Sequence, residues 1–454
     1  MFKSLEKFAL TEEKRDLILS TNLQNKVVKE VVETLNLPKD YFKDSPFKKV
    51  DTLGKFNAQS VIFLNENKME DQEAYEKVFK AFDDFKDDAV LLVDTFKDKQ
   101  QQLLAEMIGY QLYTFNDFKS DKPAQGTLYY VAKDSTAFVR GIKVSEAINF
   151  TRDLVNKPYN KLNAEQLAEI AKGLETYRNL TVNILEKSDC EKMKMGAFLG
   201  VNKGSTDAPK LIHITYKGNP DTEENTFLVG KGVMYDTGGY SLKGVQSMPT
   251  MKMDMGGAAS TLGAIKAIAS LGLKANVSVV IAATDNRIGD DAIVPDDILT
   301  SASGKTIEII STDAEGRLTL ADALWYAQKE GASKIIDLAT LTGAVVAALG
   351  DQYVGAFTNN EDFYKSFETV VKEKKEYVWH LPIGQNHRTS IDSKVADMKN
   401  SGGRLGGASI AGAFLEKFVS KDIPWIHLDI AGTAYTKEKG ATGVMVKSLT
   451  GLFE

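Results

Sequence analysis

Cysteine is almost absent from this sequence: Cys190 is the only one among 454 residues. A single cysteine allows no disulfide within the chain and no zinc site built from several thiolates. Histidine is nearly as rare, and its four residues are too scattered for an H-E-x-x-H helix or a three-histidine zinc site. Any metal in this protein is therefore expected to bind oxygen and amine ligands.

Long apolar runs and an excess of positive charge are also missing. No apolar stretch approaches the roughly 20 residues that a membrane-spanning helix needs. Residues 1–7 carry charges where a signal peptide would have its apolar segment. Lys and Arg number 56 against 62 Asp and Glu, so the net charge is −6. These features favour a cytoplasmic protein with no general attraction to membranes or nucleic acid.

Apolar, β-branched runs alternate with helical patterns along the chain, which predicts an α/β fold in two domains. We expect a small N-terminal α/β domain over residues 1–143, a linker helix over 144–157 and a larger catalytic α/β domain over 158–454. The larger domain should hold a mixed, largely parallel sheet covered by helices. Strands are predicted at 60–64, 89–94, 127–132, 211–216, 226–233, 276–283, 334–338 and 425–430, and helices at 71–85, 99–115, 144–155, 257–271 and 318–330.

Two blocks of the sequence bring acidic residues together. The octapeptide STDAEGRL places Asp313 and Glu315 just ahead of a helical pattern. Upstream, a strand-like run contains Lys231 and leads to Asp236, and Asp254 follows shortly after. Four carboxylates suit a pair of divalent cations, because four negative charges cancel the four positive charges of two such ions. In that balance Lys231 would have to bind as a neutral amine.

Each block taken alone has a simpler explanation. An isolated Asp-x-Glu is usually a solvated helix N-terminus, and a glycine-rich turn after a strand is usually ordinary turn chemistry. A phosphate-binding loop is disfavoured, since neither G-x-G-x-x-G nor a Walker lysine pattern occurs at 230–244. A Ser-His-Asp nucleophile is disfavoured as well, because its G-x-S-x-G motif is missing. The presence of both acidic blocks in order favours a metal site.

At these blocks the chain resembles the leucyl aminopeptidase family, the dinuclear-zinc cytosol aminopeptidases, whose characteristic octapeptide is NTDAEGRL. Seven of those eight residues are present, and Ser311 replaces the asparagine. The similarity covers about the last two thirds of the chain. It runs through NKPYN at 156–160, SGKT at 303–306, ATLTGA at 339–344, ADMKN at 396–400 and DIAGTA at 429–434.

The resemblance implies a metal-dependent aminopeptidase that releases N-terminal, preferentially apolar, residues from peptides. The tighter metal would be bound by Lys231, Asp236, Asp254 and Glu315, and the more exchangeable one by Asp236, Asp313 and Glu315. Zinc is the expected metal, and manganese is an alternative. A water shared by the two metals would be the nucleophile, and the substrate's free amine would bind one metal. A homohexamer is also implied.

The remaining site residues come from the same resemblance. Lys243 would steady the developing oxyanion. Arg317 would hold a bicarbonate ion that acts as the general base. The substrate's first side chain would enter a pocket lined by Met251, Thr340, Gly343, Ala431 and Ala434.

Two further functions stay open on the sequence alone. One is a hexameric DNA-binding or architectural protein with secondary peptidase activity, a role found in some relatives of the family. Net acidity and the lack of a basic run with interleaved aromatics disfavour it. The other is binding of a nucleotide or another small ligand by the N-terminal domain, for which no phosphate-binding fingerprint is present.

Overall fold

The computed structural model describes residues 1–38, 40–69, 77, 87–122, 126–403 and 405–454. These residues divide into two compact units, Met1–Asn149 and Phe150–Glu454. The boundary lies inside the helix Thr136–Asn156, which begins earlier than the linker helix expected from residue 144. The helix predicted at 71–85 lies outside the described residues except for position 77.

The first unit is an α/β sheet domain. Its strands are β1 (Phe2–Ser4), β2 (Asp16–Ser20), β3 (Phe47–Asp51), β4 (Ser60–Leu64), β5 (Ala89–Leu92) and β6 (Leu128–Val131). They pair in the order β1-β6-β5-β2-β4-β3, and β3 is the one antiparallel strand among those described. Its described helices are α1 (Lys26–Thr34), α2 (Asp98–Gln111) and the start of α3 (Thr136–Asn156).

The second unit contains the larger sheet. Its strands are β7 (Leu180–Leu185), β8 (Lys210–Lys217), β9 (Thr226–Asp236), β10 (Asn276–Asn286), β11 (Ile298–Thr300), β12 (Thr306–Glu308), β13 (Lys334–Ala339), β14 (Val354–Thr358), β15 (Val378–His380), β16 (Met398–Lys399), β17 (Trp425–Asp429), β18 (Tyr435–Thr436) and β19 (Gly440–Ala441). Eight of them form one sheet in the order β15-β14-β17-β13-β9-β10-β8-β7. Small sheets join β11, β12 and β16, and β18 with β19.

Helices of the second unit cover this sheet. They are α4 (Ala164–Lys172), α5 (Lys187–Lys192), α6 (Gly196–Asn202), α7 (Gly256–Leu271), α8 (Gly316–Lys329), α9 (Gly343–Leu349), α10 (Glu361–Glu373), α11 (Gln385–Thr389), α12 (Gly407–Glu416) and α13 (Val446–Gly451). None of the described helices, in either unit, is long and apolar enough to cross a membrane.

Strand β9 has apolar layers on both faces. Leu228 packs in one buried cluster with residues of α7, and Phe227 packs in a second cluster with residues of α8. A strand buried on both sides reads as a nearly continuous apolar run, as TFLVGKGVMYD does. The predicted α/β class with a mixed, largely parallel sheet is confirmed.

The centre of the large sheet determines where a ligand could bind. Strands β17, β13, β9 and β10 are neighbours and are all parallel. Their carboxyl ends carry Asp429, Thr340, Asp236 and Asn286, respectively, Thr340 directly following β13. Open α/β sheets bind ligands outside the carboxyl ends of such strands. The fold therefore brings polar residues from four distant segments to one edge.

Candidate active site

Three carboxylates converge at this edge. Asp236, Asp313 and Glu315 each offer an oxygen, and these oxygens lie within 4.8 Å of one another. Asp236 ends β9, whereas Asp313 and Glu315 lie in the turn before α8. Asp236 and Glu315 are buried, while Asp313 is exposed. The cluster is thus closed on one side and open to solvent on the other.

Lys231 extends the cluster inward to a fourth carboxylate. Its Nζ lies 2.9 Å from Glu315 Oε1, and it donates to Asp254 Oδ1 at 2.8 Å and to the Thr340 carbonyl oxygen at 3.0 Å. Asp254 Oδ2 lies 2.7 Å from the same nitrogen, yet this buried oxygen has no well-directed hydrogen bond. The Thr340 hydroxyl donates to Asp254 Oδ1 at 2.8 Å.

Gly316 makes room for Lys231. A β-carbon at position 316 would lie 2.3 Å from Lys231 Cε and 2.6 Å from Nζ, which are impossible contacts. The glycine that follows Glu315 in the acidic block therefore allows the lysine chain to reach its carboxylates. A side chain at position 316 would therefore displace the end of Lys231 from these carboxylates.

Lys243 reaches the outer side of the cluster. Its Nζ lies 2.7 Å from Asp236 Oδ2 and also contacts Asp313 Oδ1. The turn between β9 and this lysine needs a positive φ at Gly238, where φ is +86° and a β-carbon would lie 2.9 Å from Asp313 Oδ1. The Lys243 amide closes the turn by donating to the Thr237 carbonyl oxygen at 3.0 Å.

Thr312 ties this turn to the second acidic block. Its hydroxyl donates to the Gly238 carbonyl oxygen at 2.6 Å and accepts from the Ser241 amide at 2.7 Å. The Ser241 hydroxyl in turn accepts from the Thr312 amide at 3.1 Å. This reciprocal pairing holds the loop with Lys243 beside the segment with Asp313.

Negative charge exceeds positive charge inside the cluster. Four carboxylates face the two ammonium groups of Lys231 and Lys243. Burial, and then the neighbouring Asp236 carboxylate, raise the pKa of Asp313 to about 6. Burial raises the pKa of Asp254 well above its usual range, and Lys231 only partly offsets this effect. Burial acts to lower the pKa of Lys231, but the surrounding carboxylates outweigh it and the pKa is raised.

Arg317 lies in the first turn of α8 and is almost completely buried. Its Nη1 donates to the Asn400 carbonyl oxygen at 2.7 Å, while its buried Nε has no hydrogen-bond partner. Burial lowers the pKa of Arg317 to about 10, so the side chain keeps its charge at neutral pH. An unpartnered buried donor on a cation suits an anion.

The five predicted pocket residues come from three regions of the second unit. Met251 begins the 3₁₀ helix that carries Asp254. Thr340 Cγ2 and Ala434 Cβ both approach Gly256, each at 3.2 Å from where its β-carbon would be. Gly343 begins α9. Ala431 packs against the buried cluster of Val345, Phe357 and Ala408.

Sequence reasoning missed three buried polar residues that support the site: Asn286, Asn400 and Asp429. Asp429 Oδ1 accepts from the amides of Leu341 and Ala431 at 3.1 and 3.2 Å, and so joins the loops after β13 and β17. Asn400 Nδ2 donates to the Ser311 carbonyl oxygen at 2.7 Å. Asn400 and Asp429 lie in the motifs ADMKN and DIAGTA, which could have identified them, whereas Asn286 lies in no such motif.

Ser311, which replaces the expected asparagine, has a local role. Its hydroxyl accepts from the Asp313 amide at 3.2 Å. A short turn of this kind orders the backbone two residues further on. The substitution therefore leaves the Asp313 backbone held by a side chain.

Known proteins share this fold. A mutant of tomato leucine aminopeptidase matches with a TM-score of 0.84 and 29% identity, covering 100% of this chain and 96% of that chain. The match to a leucine aminopeptidase over the whole chain supports a peptidase of the hydrolase class. The predicted enzyme class is confirmed.

The sequence matches are more specific. The catalytic-domain model of the cytosol aminopeptidase family matches residues 149–450. A protein of Treponema denticola described as "Probable cytosol aminopeptidase" is 47% identical over 367 residues, which make up 77% of this chain and 77% of that protein. The chain belongs to the cytosol aminopeptidase family, and the predicted resemblance is confirmed.

Proposed function

We propose that this protein is a metal-dependent leucyl aminopeptidase that releases N-terminal, preferentially apolar, residues from peptides. The observation that carries this proposal is the cluster of four carboxylates, three of them buried, at the carboxyl ends of the parallel strands. Family membership supports aminopeptidase activity. The cluster would supply the catalytic groups by binding metal ions. The sequence contains no G-x-S-x-G motif that would point to a serine nucleophile instead.

The donor set fits two divalent cations. Four carboxylates outnumber the local ammonium groups, and Asp254 Oδ2 is a buried oxygen without a directed hydrogen bond. Lys231, after its ammonium loses a proton to become the neutral amine, would hold one ion together with Asp236, Asp254 and Glu315. Asp236, Asp313 and Glu315 would hold the more exchangeable one. Zinc fits this set, and manganese, which favours oxygen ligands, also fits. Bound ions of this kind supply Lewis acidity and activate water for attack at neutral pH.

The chain's own side chains would bind and orient the substrate. The Lys243 ammonium stands at the open side of the cluster, where it would stabilise negative charge that develops on the carbonyl oxygen during attack. The acidic cluster would favour substrates whose N-terminal amino group is free. Met251, Thr340, Gly343, Ala431 and Ala434 would form a small, mostly apolar pocket for the first side chain.

A panel of p-nitroanilides tests this specificity. Leucine and methionine derivatives should be hydrolysed well, and N-acetyl-leucine p-nitroanilide should not be hydrolysed. The aspartate derivative should have a kcat/KM lower by on the order of 10²-fold or more, because an unpartnered carboxylate in an apolar pocket costs several kcal/mol. Equal turnover of the acetylated and free leucine substrates would disprove recognition of the free amine.

Arg317 would hold a bicarbonate ion, which when bound would supply a general base. Support comes from its buried, unpartnered Nε. Arg317→Ala should retain weak activity but lose roughly 10²-fold in kcat, the lower range for a general base. Added bicarbonate should stimulate the wild type far more than the variant, as measured by initial rates in carbonate-free buffer.

A matched control is Arg388→Ala. Arg388 donates to the Ile383 carbonyl oxygen at 3.0 Å and pairs with Glu416 at 2.6 Å, so its loss also removes a partly buried guanidinium. This control should keep the wild-type response to bicarbonate. An identical bicarbonate response in Arg317→Ala and the wild type would remove the role assigned to Arg317.

The setting of the enzyme is also part of the proposal. We place it in the cytoplasm, as the description of its relative as a cytosol aminopeptidase suggests. Its partners would be peptides with a free N-terminus and other copies of the chain in a homohexamer. The alternative of a DNA-binding or architectural protein gains no support from relatives that are described as aminopeptidases.

A further inference from the structure

Asn286 joins the two halves of the carboxylate cluster. Its Nδ2 donates to Asp236 Oδ1 at 2.8 Å and to the Thr312 carbonyl oxygen at 3.0 Å. Its own carbonyl oxygen accepts from the Thr237 amide at 3.0 Å and from the Thr237 hydroxyl at 2.8 Å. One buried asparagine therefore connects the segment after β9 with the segment before α8.

The orientation of this amide follows from its partners. Both atoms that face Nδ2 are acceptors, a carboxylate oxygen and a carbonyl oxygen, so the opposite assignment would bring oxygens together. The pairing of β10 with β9 shifts register between Thr284 and Asn286, which places Asn286 opposite Asp236. Irregularities of this type re-aim side chains at strand ends.

The two hydrogen bonds donated by Asn286 Nδ2 hold neighbouring parts of the proposed cation position formed by Asp236, Asp313 and Glu315. The first holds Asp236 Oδ1, which leaves Oδ2 directed to the outer side, where Lys243 contacts it. The second holds the carbonyl of Thr312, the residue that precedes Asp313. Without the Asn286 amide, Asp236 Oδ1 would keep the bond from the Gly238 amide at 2.8 Å but lose its side-chain donor, and the Thr312 carbonyl would lose its bond. Asp236 and Asp313 would both be held less firmly, and ordering them again would oppose cation binding.

We propose that Asn286 is a positioning residue that sets the affinity of the more exchangeable cation position, formed by Asp236, Asp313 and Glu315. This inference rests on the proposed metal-dependent function. Outer partners that orient metal ligands typically contribute 10- to 100-fold in affinity. The tighter position also uses Asp236, but its other proposed ligands, Asp254 and Glu315, are linked by Lys231 and do not contact Asn286 in the described hydrogen bonds, so it depends less on this amide.

Manganese binding to the stripped full-length chain tests the proposal. Calorimetric titration of Asn286→Ala with Mn²⁺ should show a Kd for the second ion raised about 10- to 100-fold, with the first Kd changed only a few-fold. Hydrolysis should recover toward the wild-type kcat as Mn²⁺ is raised. A purely structural role would not produce recovery that depends on the cation. Asn286→Ser, too short to reach Asp236, should behave in the same way.

Asn202→Ala is the matched control. Asn202 is also a buried asparagine whose Nδ2 donates twice, to the Asp207 carbonyl oxygen at 2.9 Å and to Thr284 Oγ1 at 3.1 Å. It has no bond to the four carboxylates among the described contacts. Its loss should lower Tm to a similar extent and leave both Mn²⁺ affinities unchanged.

Four outcomes would overturn the inference. An unchanged second Kd in folded Asn286→Ala would do so, as would equal weakening of both positions. Failure of both Asn286 variants to fold, while Asn202→Ala folds, would assign the residue to stability alone. A wild-type chain that binds no Mn²⁺ or Zn²⁺ would overturn the proposed metal dependence itself, and the inference with it.

Discussion

Exhaustive chelation should reduce hydrolysis of leucine p-nitroanilide to the rate without enzyme, and one divalent ion added back should restore it. The reason is the acidic cluster: Asp236, Asp254, Asp313 and Glu315 can concentrate cations but cannot by themselves generate a nucleophile at neutral pH. The initial rate is measured as a function of the amount of bound metal, with zinc, manganese, cobalt and magnesium added in turn. Elemental analysis gives the amount of bound metal.

Loss of activity on chelation should not reflect unfolding. Lys231 and Lys243 contact all four carboxylates and can neutralise part of their charge, so far-UV circular dichroism should be unchanged by the chelator. A chelator already saturated with calcium serves as the control for non-specific effects. Full activity in protein shown to be metal-free would rule out the proposed mechanism.

Lys243→Ala should lose on the order of 10²-fold or more in kcat and still bind its metals. An ammonium that stabilises charge developing only in the transition state affects kcat more than substrate binding. Removing it also leaves Asp236 and Asp313 without their nearest cation, so bound metal should not decrease. The measurements are kcat and KM for leucine p-nitroanilide, with metal content determined on the same samples.

Asp254→Ala provides the contrast, because it removes a proposed ligand and should lose metal together with activity. Lys274→Ala is the charge control, since Lys274 pairs with Asp221 through an exposed contact and its loss changes net charge equally. The control should retain wild-type kinetics. Equal metal loss in Lys243→Ala and Asp254→Ala would show that Lys243 is a ligand or supports one.

The sequence predicted most of the large sheet because its central strands are long and apolar. The strand at 226–233 extends to Asp236, and the strand at 276–283 extends to Asn286, so both were predicted too short at the carboxyl end. The omitted ends are Met234-Tyr235-Asp236 and Thr284-Asp285-Asn286, and their polar last residues resemble a loop. In this sheet the omitted ends carry functional groups.

Short or polar strands were missed for a related reason. The strand β3, FKKVD, is an antiparallel edge strand whose lysines interrupt the apolar pattern. Edge strands commonly carry such charges, which limit pairing with other chains. No pattern in the sequence separates this segment from a charged loop.

The partners of the site residues could not be predicted either. The bond from Asn286 to Asp236 depends on a register shift, and the bond from Thr340 to Asp254 depends on which strands are neighbours. Both contacts join residues that are far apart in sequence. Family resemblance supplied candidate roles for single residues, but the bonds between them required the fold.

Asp429, which joins the loops after β13 and β17, affects the point during synthesis at which the site can form. All five proposed cation ligands lie between Lys231 and Glu315, so a ribosome completes them long before it reaches β17. Yet β17 completes the parallel centre of the sheet, and Asp429 fixes the loop that begins at Thr340, which contacts Lys231 and Asp254. If the chain binds metal as proposed, ion capture would follow nearly complete synthesis of the chain. Metal content would then measure the fraction of molecules that have matured, since ions bind the folded state preferentially.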